Sequence, residues 1–206
     1  MECPLLSDVE VRRLFMEDHE WERTSHSWKD LIPRKNFNCW SESDETVDDY
    51  CLRLKERFSI PIDVVKQWLY DLYYDINTVH NYGWLNYDKI EFVLINLSLN
   101  DLKTIRVIND FQEYVEEGSA YKSYDQLPCI AKDKEHWEQF GTWRTPPIIL
   151  DVSSLLTEKI PTYSDVEGPL QLVEGHSRLG YLYAISNCKL HLRVDHKVYL
   201  MRYKNA

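Results

Sequence analysis

No stretch of this sequence approaches the roughly 20 consecutive apolar residues that a membrane-spanning helix needs. Nor does Met1-Glu2-Cys3-Pro4 open a basic n-region followed by an apolar run, so no secretory leader is read there and a cytoplasmic protein away from membranes is expected. Positive charge is scarce: 24 Lys and Arg stand against 34 Asp and Glu, a formal charge of −10. Broad nucleic-acid binding rests on a basic face and is therefore not expected, whereas a basic protein partner would suit the balance. The five cysteines, at 3, 39, 51, 129 and 188, are widely spaced and form no C-x-x-C, which points to reduced thiols. His26, His80, His136, His191 and His196 show no H-x-x-x-H or H-E-x-x-H pattern. No zinc, haem or flavin is expected. A Walker-type phosphate loop, a G-x-S-x-G elbow, an internal repeat and a low-complexity tract are all missing.

What is present is an ordinary globular composition over 206 residues, enough for one large domain or two small ones, with 14 Tyr and 7 Trp to fill a core. Ser7-Asp8-Val9-Glu10 reads as a capping box that starts a helix over 8–22. A loop is expected over 24–40. The five acids of 42–49 suit a helix start, or a patch for a basic partner. Val47, Tyr50, Cys51, Leu54 and Phe58 then fall on one helical face, from about residue 43. Pro61 opens the next helix, with Val64, Val65, Trp68, Leu69 and Leu72 as its buried stripe. Residues 77–82 read as a turn, and 90–97 as a strand buried on both faces, or else a short helix segment.

Ser98-Leu99-Asn100-Asp101 resembles a cap. It leads to Leu102, Ile105, Ile108, Phe111 and Val115 on one helical face, with Gly118 to stop it. Residues 119–128 read as a connection, 135–140 as a short helix ended by Gly141, and 148–152 as a strand entered through Pro146-Pro147. After a loop over 153–169 come a strand, a turn at Glu174-Gly175 and a helix. A last strand is expected over 190–194, continued or paired by Val198 and Leu200. These patterns predict an α+β fold: a mainly helical region over 1–120, packed on a small mixed sheet over 121–206, as one unit.

The strand–turn–helix carries the chemistry. Glu174, Gly175, His176, Ser177 and Arg178 gather where an apolar run meets a helix N-terminus, whose free N–H groups suit an anion. Gly175 permits a sharp turn and a close ligand. Ser177 can cap or donate to phosphate, Arg178 offers a planar fork, His176 can donate to an oxyanion, and Glu174 can act as base or metal ligand. The plain alternative is a turn that needs Gly and a cap for structure alone. Trp143 and Arg144 could wall a ligand cleft, Trp143 by stacking on a base, or could simply pack; Trp137 reads as packing.

Pro-Pro-Ile-Ile-Leu-Asp over 146–151, with Leu-Val-Glu-Gly-His-Ser-Arg-Leu-Gly-Tyr-Leu over 172–182, resembles the ParB/sulfiredoxin superfamily. The resemblance covers roughly residues 128–203, and only the turn is specific. It implies that Gly175, His176, Ser177 and Arg178 cradle nucleotide phosphates. Glu174 would then lie beside a magnesium ion or the transferred group, and His176 would stabilise developing charge. ATP, ADP or CTP with magnesium is the implied cofactor set, and a phosphotransferase or NTP hydrolase the implied activity. Sulfiredoxins carry a cysteine directly before this histidine, where Gly175 stands here, so sulfinic-acid reduction is not expected. Partitioning ParB proteins carry Gly-Glu-Arg-Arg at the turn and a helix-turn-helix domain after it; little chain follows Arg178, so a DNA-clamp role is not expected. The motif is nearest to the Asp-Gly-His-His-Arg subgroup, with Glu for Asp. The alternative reading is a non-catalytic interaction module, such as an immunity, antitoxin or phage-defence component. A nuclease is weaker, because the charge opposes it.

Overall fold

Ser25 turns a stretch that reads as loop into a helix. In the computed structural model, which describes residues 22–34, 45–155 and 158–204, its hydroxyl accepts from the Trp28 backbone N–H and starts α1 (His26–Asp30). Such a cap satisfies one of the donors that a first turn leaves unpaired. The loop expected over 24–40 is corrected over His26–Asp30 alone, since 32–34 are without regular structure and 35–40 lie outside the described residues, and the reason is tertiary. Trp28 is fully buried, its ring stacks on Tyr73 at 4.7 Å, and the Tyr73 hydroxyl donates to the Trp28 carbonyl. Trp68 stands 6.3 Å from Trp28 and 5.8 Å from Tyr82, so the aromatic wealth of the sequence forms one cluster here. The capping box at Ser7 and its helix lie outside the described residues, as do Cys3 and Cys39.

α2 (Val47–Lys55) starts at Thr46, which caps the Asp49 N–H. It buries Tyr50, Cys51 and Leu54, as their spacing requires. The described acids of 42–49 are partly used within the fold: Glu45 pairs with Arg53 at 2.6 Å and Asp48 with Lys66 at 2.9 Å. α3 covers residues 62–72 in three joined segments, α-helical Ile62–Val64, π-helical Val65–Leu69 and α-helical Tyr70–Leu72. The wider π turn moves the apolar stripe on by one residue, so Tyr73 rather than Leu72 is buried. α4 (Ile76–Tyr82), capped by Asp75, replaces the turn expected over 77–82, and it buries Val79 and Tyr82 on one face.

The chain divides into two units: residues up to Glu91 with Ile160–Ser164, and Phe92–Lys159 with the residues from Asp165 onward. The division falls inside β1 (Ile90–Ser98) rather than near residue 120. β1 is not buried on both faces as expected. It is an edge strand, and Leu94 is 47% exposed.

In the second unit, Ser98 and Asp101 form a reciprocal capping box at α5 (Leu99–Leu102). The single helix expected from Leu102 to Val115 is interrupted there. The Arg106 N–H donates to the Leu170 carbonyl and the Leu172 N–H to the Arg106 carbonyl, which draws the chain out as an extended segment beside the sheet. Helix resumes as α6 (Asn109–Gly118). α7 (Ala131–Phe140) starts a turn earlier than expected and ends at Gly141, with φ 60°. β2 (Ile148–Asp151) follows its proline pair, and β3 (Leu170–Glu174) leads into α8 (His176–Asn187). The last strand, β4 (Asp195–Tyr203), starts after the segment expected to form it, and Val194 is 83% exposed.

The sheet runs β1-β4-β2-β3, with β2 antiparallel to β3 and parallel to β4, so the protein is α+β with a small mixed sheet. Ile148, Ile149 and Leu150 of the central β2 are fully buried. α6 and α8 meet through Gly118 and Gly180: a Cβ on Gly180 would lie 2.9 Å from the Val115 carbonyl oxygen. Among the described residues, no helix is long and apolar enough to cross a membrane.

Candidate functional site

The site is set by an extra residue in β3. Ile148 pairs with Glu174 and Ile149 with Leu172, so Val173 is a bulge one step before the turn. A bulge bends its strand and re-aims the residues beyond it. Gly175 then turns the chain with φ 111°, where only glycine is comfortable, and a Cβ there would sit 2.7 Å from Pro147 Cβ and 3.0 Å from Arg178 Nη2. The turn, the proline-led strand and the Arg178 guanidinium are thus packed against one another through the missing side chain.

α8 begins with no side-chain cap. Its first N–H groups carry the positive end of the helix dipole. Ser177 and Arg178 open from this end onto a cleft of about 300 Å³, which also takes in Asp133, Trp143, Arg144 and Tyr181. The helical period explains the grouping: Arg178 and Tyr181, three apart, share a face. Ser177 also meets the Tyr114 hydroxyl at 2.8 Å. Arg178 has Glu174 at 3.6 Å. Burial pulls the Arg178 guanidinium down from its ordinary range, against the opposing pull of Glu174 and Asp133. Arg144 is held by Asp133 at 2.6 Å.

The structure therefore brings Ser177, Arg178, Trp143 and Arg144 together and leaves three expected residues, Glu174, Gly175 and His176, out of the cleft lining; the open side of Gly175 is filled by Pro147 and Arg178 rather than left for a ligand. His176 does not line the cleft. His176 lies two residues, about 200° around the helix, from Arg178, and its imidazole packs on Phe111 with ring centroids 4.3 Å apart. It is 8% exposed, its Nε2 has no hydrogen-bond partner, and burial, helped by Arg178, pushes its pKa down to about 4. At neutral pH it is an uncharged core group, not the charge-stabilising donor that the motif implies. Glu174 faces Arg178 rather than the cleft lining. Trp143 borders the cleft but is 3% exposed, and its Nε1–H donates to the Lys197 carbonyl, so it forms a floor and offers no open ring face to a base.

Sequence reasoning missed Asp133 and Tyr181. Tyr181 was within reach of the helical period from Arg178, whereas nothing local marks Asp133. Among the described residues, no group of three or more His, Cys, Asp or Glu gathers to hold a metal unaided. A magnesium ion that arrives on a nucleotide draws its ligands mainly from phosphate and water, so this does not bear on that route. A larger groove of about 700 Å³ lies in the first unit, but it is walled chiefly by apolar residues such as Leu52, Phe58 and Ile62 and holds none of the motif residues. Compared with known proteins, the chain matches no protein-family model, no curated protein and no solved structure.

Proposed function

We propose that this protein binds the phosphates of a nucleotide, or of a similar phosphate-bearing small molecule, in the cleft at the start of α8. One observation carries the reading: an uncapped helix N-terminus, Ser177, Arg178 and Arg144 converge on one concavity in a chain of net charge −10. Helix N-termini and planar guanidinium forks both suit phosphate. The likeness of Glu174 to Arg178 to the ParB/sulfiredoxin turn supports the same ligand. Magnesium would enter on the phosphates and neutralise part of their charge. On the protein side, Asp133 and Glu174 are the carboxylates beside the two arginines. With His176 buried and neutral, any phosphoryl transfer falls to those carboxylates.

Thermal shift with ATP, ADP, CTP and GTP, with and without Mg²⁺, tests it. A ligand at about 100 times its Kd stabilises by about 2.7 kcal/mol, or roughly 5–11 °C for a chain of this size. Arg178→Ala should remove the shift. No shift with any nucleotide at millimolar concentration, or an equal shift in the variant, overturns the assignment.

A further inference from the structure

Trp143 and Arg144 also border a second cavity, of about 230 Å³. Arg193, Lys197 and His136 line it with them, against one acid, Asp195. With Asp133 on Arg144 at 2.6 Å, three permanent cations meet two carboxylates, Asp133 and Asp195, which still reverses the balance of the chain as a whole, in which acids outnumber bases. Arg193 and Lys197 are exposed, and neither side chain is tied into an ion pair among the described residues.

The concavity is built rather than incidental. The Arg193 N–H donates to the Gly141 carbonyl at 3.0 Å, and the Lys197 carbonyl accepts from Trp143 Nε1 at 2.6 Å. Gly141, with φ 60°, is required there, because a Cβ would lie 2.8 Å from the Arg193 nitrogen. The backbone on both sides of the cavity is therefore fixed by the turn that ends α7, and the cations project from fixed points. The cleft at Arg178 alone, at about 300 Å³, stands at the lower bound of ligand pockets, which span roughly 300–1,000 Å³. The second cavity, which shares Trp143 and Arg144 with it, offers about 230 Å³ more.

We infer that the two cavities are subsites for one ligand with linked anionic groups, a polyphosphate chain or a nucleoside di- or triphosphate. One group sits at Arg178 and the start of α8, and the next between Arg144, Arg193 and Lys197. This rests on the phosphate reading of the α8 cleft. Arg144 belongs to both lobes and joins them. The exposure of Arg193 and Lys197 lets the second lobe adapt to ligands of different length.

Calorimetric titration with inorganic phosphate and with tripolyphosphate tests the inference. The wild type should bind tripolyphosphate at least about tenfold more tightly than phosphate, the gain expected from one added charge-assisted contact. The double variant Arg193→Ala/Lys197→Ala should lose that advantage and keep its phosphate affinity. These are surface positions whose truncation leaves the core intact. Arg178→Ala should weaken both probes. If phosphate binds in an Arg178-dependent way but tripolyphosphate binds no tighter, or the double variant binds it like the wild type, the second subsite is wrong and the first stands. If neither probe binds, or Arg178→Ala changes nothing, the α8 cleft itself is misassigned and the inference falls with it.

Discussion

Replacing Gly175 by alanine tests the turn on which the site is built. The new Cβ meets two separate penalties. The first is conformational: φ 111° lies in the region that L residues avoid, at about 1–2 kcal/mol. That cost is offset by about 0.4–1 kcal/mol from the stiffer unfolded chain. The second is steric, because Pro147 Cβ at 2.7 Å is part of a ring and cannot swing away; overpacking of this kind costs about 1–3 kcal/mol. Together they predict a loss of about 2–4 kcal/mol, read as a lower urea midpoint at unchanged m-value and a fall in Tm of roughly 5–15 °C. Gly168 is the control. It also has a positive φ, 76°, but nothing lies within 4 Å of its virtual Cβ, so Gly168→Ala should cost only about 1 kcal/mol. The difference between the two variants isolates the contact with the proline-led strand. Equal effects, or a Gly175→Ala loss below about 0.5 kcal/mol, would refute the claim that turn and strand are locked through the missing side chain.

The packing and the buried imidazoles give two further expected outcomes. Gly180→Ala gains about 1 kcal/mol of helix propensity, yet it drives a Cβ to 2.9 Å from the Val115 carbonyl and 3.0 Å from Gly118 Cα. We expect net destabilisation of about 1–2 kcal/mol, and a stabilised variant in thermal unfolding would contradict the close crossing of α6 and α8. His176 and His196 are both pushed by burial to about 4. The folded state therefore holds fewer protons than the unfolded state between pH 6.5 and 4. Stability should be full above about pH 6.5 and fall through that window, by up to about 3 kcal/mol for each histidine. Urea midpoints at pH 7 and pH 5 measure the fall, and imidazole signals that titrate near 6.5 by NMR would exclude it.

Much of the second unit was legible because its signals are local. The Ser98–Asp101 box, the Gly141 stop, the proline entry to β2 and the β3–Gly175–α8 junction each depend on residues a few positions apart. Hydrogen bonds and dihedral limits act at that range. α1, α4 and the π turn were not legible, because burial of Trp28, Tyr73 and Tyr82 in one aromatic cluster decides them. The 190–194 segment alternates well but lost the strand to Asp195–Tyr203, since sheet pairing with β2 selects the register.

The sequence by itself determined that an acid, a glycine, an imidazole, a hydroxyl and a guanidinium meet at a helix start, and that such a start favours an anion. Tertiary structure decided which of them line the cleft. Two helical residues on, the direction has turned about 200°, so Arg178 reaches the cleft, with Ser177 at its margin, while His176 is carried into the core against Phe111. The other charges of the two cavities, Asp133 in α7, Arg144 after it, Arg193 before β4 and Lys197 within β4, come from segments far apart in the chain. Only the packing of those segments beside β2 and α8 makes them neighbours.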